Sequence, residues 1–293
     1  MKVLICGKSG QLGSDCEQVL GQKFEVIAPD EKEFDITNKE AVESIALSLS
    51  PDVILNCAAY TMVDACETER ELAWNVNVKG PENLALAASK CGARIIHISS
   101  DYVFDGKKRP PESYKEDDET GPLSYYGVTK LEGELAVRKM TDKHIIIRTA
   151  WVYGINGRNF LKTMLRLSTN NPEKALKVVN DQYGSPTWSF RLAEQIGKLI
   201  EVNAIGTYHA SSEGYCTWYE LAKYFLEKMD VKHKIFPCST DEYPTPAARP
   251  KNSILENSRL KEESINLMRD WRKEVDTFVI NFKERLIKEA KGQ

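Results

Sequence analysis

The chain has 293 residues, 42% of them hydrophobic and 28% charged, enough for one large core or two unequal domains and too apolar for a disordered polymer. A formal net charge of -3 offers no basic field for a nucleic-acid backbone, so an anionic ligand must be met by local groups and the expected partner is a small molecule. The longest apolar stretches, such as residues 53–60, fall far short of the roughly 20 residues that cross a bilayer, which excludes a membrane partner.

The first residues run directly into a strand at 3–6, leaving no room for an export leader, and the cytoplasm is the expected location. Further short β-branched runs at 24–28, 53–57, 93–98 and 144–148 alternate with helical stretches. That rhythm predicts a doubly wound parallel α/β sheet over residues 1–150, the dinucleotide-binding domain. Thr37-Asn38-Lys39-Glu40 reads as a capping box that opens one helix, and Gly92 as the end of another. Beyond Trp151 the rhythm loosens: 161–167 and 190–200 read as helices, 178–179 as a strand and 243–250 as a loop. Residues 151–293 are expected to form a smaller substrate-binding domain, with the boundary interleaved and some later strands returning to the first sheet.

Seven cysteines without a C-x-x-C pair read as reduced core residues, and four histidines without ligand spacing predict no catalytic metal. Between the first strand and first helix, Gly7-x-x-Gly10-x-x-Gly13 lets the backbone approach a pyrophosphate without Cβ clashes, at a helix N-terminus that favours anions. Asp30, after the second strand, stands where a carboxylate can hydrogen-bond the adenosine ribose and repel a 2′-phosphate. Lys8 and Lys32 could instead neutralise that phosphate, so NADH and NADPH both remain open.

Tyr126 and Lys130 are four residues apart, one helical turn, where an ammonium can lower the pKa of a phenol. Ketone reduction needs a hydride donor and an acid for the developing oxyanion. Tyr126 supplies the acid, Lys130 its electrostatic support and a reach to the nicotinamide ribose, and Ser100, ending an apolar run, a second hydrogen bond to the carbonyl. Tyr125, the rival acid, has Thr129 where a lysine would be needed and is expected to pack or to line the pocket.

With these residues in place, the chain resembles the extended short-chain dehydrogenase/reductases and, within them, the dTDP-4-dehydrorhamnose reductases. The likeness rests on Gly7-Lys8-Ser9-Gly10-Gln11-Leu12-Gly13, Asn56-Cys57-Ala58-Ala59-Tyr60-Thr61, Ser99-Ser100-Asp101-Tyr102-Val103-Phe104 and Tyr126-Gly127-Val128-Thr129-Lys130. More particular are Arg148-Thr149-Ala150-Trp151-Val152-Tyr153, Asn159-Phe160, Asp181-Gln182-Tyr183-Gly184-Ser185-Pro186-Thr187 and Thr245-Pro246-Ala247-Ala248-Arg249-Pro250. The resemblance implies a Rossmann-like sheet and reduction by NADPH or NADH of the 4-keto group of a dTDP sugar. It implies a cofactor held by Gly7, Ser9, Gly10, Gln11, Leu12 and Gly13 with Asp30, Asp35, Ile36, Ala58, Ala59, Tyr60, Tyr126 and Lys130. It also implies a nucleotide sugar faced by Val63, Ser100, Tyr102, Tyr126, Trp151, Asn159 and Arg249, the last as a fork for the diphosphate.

Some relatives place a serine-threonine pair where this chain has Ser99-Ser100, which keeps the hydroxyl and loses a methyl group. Certain members dimerise through carboxylates about magnesium. Asp15 matches one such position, but Phe190 stands where another acid would be, so a monomer or weak homodimer without a bridging metal is expected. Dehydration of a nucleotide sugar calls for an Asp-Glu pair after the strand hydroxyl, and Asp101 is followed by Tyr102. Epimerisation could use the same Tyr and Lys, and net consumption of reduced cofactor separates it from reduction. A non-catalytic regulatory subunit of the same fold would tolerate loss of the acid, which this chain keeps.

Overall fold

The computed structural model describes residues 1–292. The elements run β1 (Lys2–Cys6), α1 (Gln11–Leu20), β2 (Glu25–Ile27), α2 (Lys39–Leu49), β3 (Val53–Asn56), α3 (Arg70–Trp74), α4 (Gly80–Cys91), β4 (Arg94–Ser100), α5 (Tyr125–Met140) and β5 (His144–Thr149). They continue with β6 (Val152–Tyr153), α6 (Phe160–Asn170), β7 (Leu176–Val179), β8 (Tyr183–Gly184), β9 (Thr187–Trp188), α7 (Ser189–Glu201), β10 (Gly206–His209), β11 (Cys216–Thr217), α8 (Trp218–Lys228), β12 (Ile235–Cys238), α9 (Ser258–Glu262) and α10 (Trp271–Ala290).

Six of these strands form one sheet in the order β10-β5-β4-β3-β1-β2, every pair parallel. The predicted doubly wound sheet is therefore present. Its strands are apolar on both faces because helices cover both. Val3, Ile5, Leu55 and Ile147 pack with Leu12 and Cys16 of α1 and Leu192 and Ile196 of α7 on one side. Leu4, Ile54 and Ile95 pack with Val42 of α2 and Leu84 and Ala88 of α4 on the other. A third core joins α6, α8 and α10 through Leu165, Phe225 and Phe278. From β1 the chain steps to β2 on one side and then to β3 on the other. That reversal opens a crevice beyond the carboxyl ends of β1 and β3, the usual place for a ligand in an open parallel sheet.

Local chemistry explains two differences from the sequence reading. Helix α2 is capped by Asn38, whose Oδ1 accepts the Ala41 N–H at 3.0 Å. Thr37 does not cap it, because its hydroxyl is spent on Asp35 Oδ1 at 2.8 Å. Strand β7 is longer than 178–179 because it pairs in parallel with β12, a partner that an alternation pattern interrupted by Pro237 conceals. Gly92 ends α4 at φ +77° as expected. No helix among the described residues is long and apolar enough to cross a membrane.

Candidate active site

The glycine turn between β1 and α1 is built so that only glycine fits. Gly7 has φ +80°, and a Cβ there would stand 2.7 Å from the Ala58 nitrogen. A Cβ on Gly13 would stand 2.1 Å from the Gly7 carbonyl oxygen. The turn thus presses against the end of β3, where Asn56 Oδ1 accepts the Ala58 N–H at 3.1 Å. Ser9 and Gly10 are exposed at the lip of the turn, Gln11 is half-buried, and Leu12 anchors the helix in the core. This cradle, open to close backbone approach and set at the N-terminus of α1, fits a dinucleotide pyrophosphate. Gly13→Ala is expected to weaken NADPH binding, measured by nicotinamide fluorescence on protein whose circular dichroism is unchanged. Relieving the clash costs about 1–3 kcal/mol, so affinity should fall by roughly five- to 150-fold.

Around that cradle the other expected cofactor residues fall into three situations. Asp30 is exposed and pairs with Lys8 Nζ at 3.3 Å, so the acid and the cation that compete over a 2′-phosphate sit side by side. Asp35 is exposed and folds its own turn, accepting both N–H and O–H of Thr37, while Ile36 is buried under Gly80. Ala58, Ala59 and Tyr60 are half-buried along the segment after β3. Asn77, from the π-helical turn Asn75–Lys79, fixes that segment: its Oδ1 accepts Tyr60 N–H at 2.8 Å, and its Nδ2 donates to Tyr60 O and to Thr129 Oγ1.

Helix α5 carries the phenol and ammonium. Ser124 caps it, accepting the Gly127 N–H at 3.2 Å, which starts the helix one residue before Tyr126. Gly127 lets it approach the chain after β4, since a Cβ there would lie 2.3 Å from Tyr102 O. Tyr126 is thereby buried in a small cluster with Cys66 and Ala73, flanked by Tyr60, Val63, Tyr102 and Tyr125. The Tyr102 and Tyr126 rings meet edge to face at 5.5 Å. Arg70 covers the Tyr125 ring at 4.7 Å, which leaves Tyr125 a packing role.

The electrostatics differ from the expectation for Tyr126 and Lys130. Burial pushes the Tyr126 phenol well up from its usual value and the nearby Asp101 adds to this, while a hydrogen bond with Ser100 works the other way. Lys130, 2% exposed, turns its Nζ to the Ile98 carbonyl oxygen at 2.7 Å. Burial lowers its pKa to about 8 against the opposing influence of Glu134 and Cys57. Desolvation is the leading influence on both groups, raising the phenol and lowering the ammonium, and Lys130 is not among the groups that shift Tyr126.

Behind these groups lies a buried ion network that the sequence reading missed. Glu134, fully buried, accepts Ser99 Oγ at 2.6 Å, Arg148 Nε and Nη2 at 2.9 Å each, and Arg138 Nη2 at 3.0 Å. It stands four residues beyond Lys130, so the 126, 130, 134 spacing on one helix face was a usable signal. The network clamps α5 to the ends of β4 and β5 and so sets Ser100 relative to Tyr126.

The expected sugar-facing residues are partly gathered. Val63, Tyr102, Ser100 and Tyr126 share the crevice. Trp151 takes a positive φ of +48°, stacks on Trp218 at 3.5 Å with an 8° interplanar angle, and fills the space that a Cβ on Gly184 would need. Arg249 forms its fork with the Asp64 carboxylate, Nη1 to Oδ1 at 3.0 Å and Nη2 to Oδ2 at 2.9 Å. The pair holds Asp64 below the usual carboxylate range, its hydrogen bond to Arg249 being the main cause. Asn159 caps α6 through Lys162 N–H, and its Nδ2 donates to Gln11 Oε1 at 2.9 Å and to Gly154 O. Both ends of that amide are engaged within the protein. Asp15 is buried against Ser189, and no group of three or more His, Cys, Asp or Glu residues that could hold a metal occurs among the described residues.

Known proteins share this architecture along nearly the whole chain. A crystal structure of a dTDP-4-dehydrorhamnose reductase from Clostridium acetobutylicum ATCC 824 superposes with a TM-score of 0.93 at 43% identity, covering 97% of this chain and 100% of that one. The same enzyme from Bacillus anthracis str. Ames, in complex with NADP, gives 0.92 at 39% identity, covering 96% and 99%. The curated dTDP-4-dehydrorhamnose reductase of Escherichia coli K12 is 39% identical over 286 residues, 92% of this chain and 94% of that protein. The family model described as the RmlD substrate binding domain matches residues 1–284, and the chain belongs to that family.

Proposed function

We propose that this chain reduces the 4-keto group of dTDP-4-dehydro-L-rhamnose to give dTDP-L-rhamnose, with NADPH or NADH as reductant. Residues 1–150 serve as the dinucleotide-binding domain and 151–293 as the substrate-binding domain. The observation that carries this reading is Tyr126 buried beside the Ser100 hydroxyl and one helical turn from Lys130, on the side of the sheet that also holds the glycine cradle. The relatives named for this reaction, one of them with NADP, support the choice of substrate and cofactor.

A bound reduced nicotinamide supplies the hydride. The chain supplies everything else. Tyr126 gives its proton to the ketone oxygen as charge develops there. Ser100 steadies the same oxygen with its one hydroxyl proton, and Lys130 provides positive charge one helical turn away. Trp151, braced by Trp218, offers a flat face for the sugar ring. Arg249 can receive a diphosphate oxygen, a role for which Asp64 now competes. Lys8 beside Asp30 lets the adenosine pocket tolerate a 2′-phosphate.

Incubation with dTDP-4-dehydro-L-rhamnose and NADPH should consume reduced nicotinamide and yield dTDP-L-rhamnose in equal amounts, followed by absorbance and chromatography. Interconversion of nucleotide sugars without net consumption would mark an epimerase and sink the proposal. Cofactor binding without turnover would point to a regulatory subunit.

A further inference from the structure

Asp101 follows the strand hydroxyl directly, is 2% exposed, and contacts no cation among the described residues. Its Oδ1 accepts the Ser100 hydroxyl proton at 2.8 Å, and its Oδ2 is buried. A serine hydroxyl has one proton to give. In this arrangement the Ser100 proton is committed to the carboxylate. Ser100 Oγ accepts the Tyr102 N–H at 3.2 Å and stands within hydrogen-bond reach of the Tyr126 phenol, a second group that would take its single proton. So placed, Ser100 cannot donate to a substrate oxygen, although that is the role a hydroxyl at this position would have in ketone reduction.

Protonation of Asp101 removes the conflict. A carboxylic acid donates, Ser100 becomes the acceptor, and the serine proton is free to turn towards the crevice. We propose that Asp101 is a positioning residue that aims the Ser100 hydroxyl: as a carboxylic acid it frees the serine proton for the ketone oxygen, and as a carboxylate it withholds that proton. The proposal rests on the reaction assigned above. It moves no proton to the product, since the carboxylic proton stays on Asp101 while the hydrogen bonds reverse direction.

The surroundings shift Asp101 towards the acid form. Tyr102 faces Asp101 from its own turn, Tyr126 from α5 and Ser253 from the segment after Pro250. Cys66 lies beside Tyr126, Arg249 is reached through the Tyr102 hydroxyl with Asp64 behind it, and Lys130 is held by the Ile98 carbonyl. Burial therefore raises the Asp101 carboxyl to about 6, with the hydroxyls of Ser253 and Ser100 opposing it only in part. The acid form predominates below that value and the carboxylate above it. Covering the crevice with substrate desolvates the group further and moves the transition upward.

The test is single-turnover reduction of dTDP-4-dehydro-L-rhamnose by NADPH-saturated protein across a pH series. The parent rate should fall as pH rises through the Asp101 transition, approaching tenfold per pH unit, the slope of a single ionisation. Asp101→Asn, whose amide can donate to Ser100 at every pH, should keep a substantial rate and lose that limb. Ser100→Ala should be slower throughout and lose the limb as well, because Asp101 acts only through the serine. Ser100→Ala carries the test alone if Asp101→Asn does not fold. A parent without the limb, or a limb unmoved in either variant, overturns the proposal. Tyr126→Phe separates the two levels: full turnover in that variant refutes the acid assignment itself. An inactive Tyr126→Phe alongside an unmoved limb refutes only the role of Asp101.

Discussion

Tyr126→Phe is expected to reduce turnover by about 100- to 10,000-fold, the contribution of a positioned general acid, while the protein keeps its fold and cofactor affinity. At 1.36 kcal/mol per tenfold, that is roughly 2.7–5.5 kcal/mol of transition-state stabilisation. The ring stays in the cluster with Cys66, Ala73 and Tyr102, so packing is retained, and only the hydroxyl beside Ser100 is lost. The measurement is kcat and KM for the keto sugar. The expected pattern is a fall in kcat with little change in KM, because the proton is needed in the transition state and not for ground-state binding. An unchanged kcat would remove Tyr126 from the acid role.

Glu134→Ala should be the more damaging change to the protein as a whole. Removing the carboxylate leaves Arg148, 3% exposed, without its charge partner, and strips Ser99 of its acceptor. Deleting one member of a buried ion pair costs about 3–5 kcal/mol, a large share of the roughly 5–15 kcal/mol that holds a domain folded. Urea denaturation should show the midpoint shifted far down. Protein that still folds should also lose activity, since the clamp between α5 and the ends of β4 and β5 sets the distance from Ser100 to Tyr126. Glu134→Gln, which keeps an acceptor, should retain more of both. Equal stability of Glu134→Ala and the parent would show that the network is dispensable.

What could be read from the sequence follows the range of the interaction responsible. Five of the six parallel strands announce themselves as short β-branched runs, because the central ones are buried on both faces, whereas β10, Gly-Thr-Tyr-His, carries no such run; the glycine turn is legible because a Cβ on Gly7 would meet Ala58 N and one on Gly13 would meet Gly7 O. The Tyr126 and Lys130 pair is likewise local, one turn of one helix. The electrostatic consequence was not local: proximity on the helix suggested a lowered phenol pKa, whereas burial by distant segments decides the sign. The Arg249 fork could be recognised, but not its engagement by Asp64, 185 residues away in the chain. Trp218 behind Trp151 and Asn77 behind Tyr60 are contacts of the same long-range kind. The Asn38 cap was misassigned by one residue because Thr37 and Asn38 both favour that position, and only the competing bond from Thr37 to Asp35 selects between them.

Strand β10 lies beyond residue 200 in the sequence yet borders β5 in the principal sheet, with Tyr208 opposite Ile147. A fragment stopped at Thr149 would therefore end on an open ladder of amide and carbonyl groups, with α7 also missing from the apolar side of Ile145 and Ile147. Such a stump would seek its absent neighbour in other copies of itself, so the first five strands of the sheet depend for their closure on polypeptide synthesised well after them.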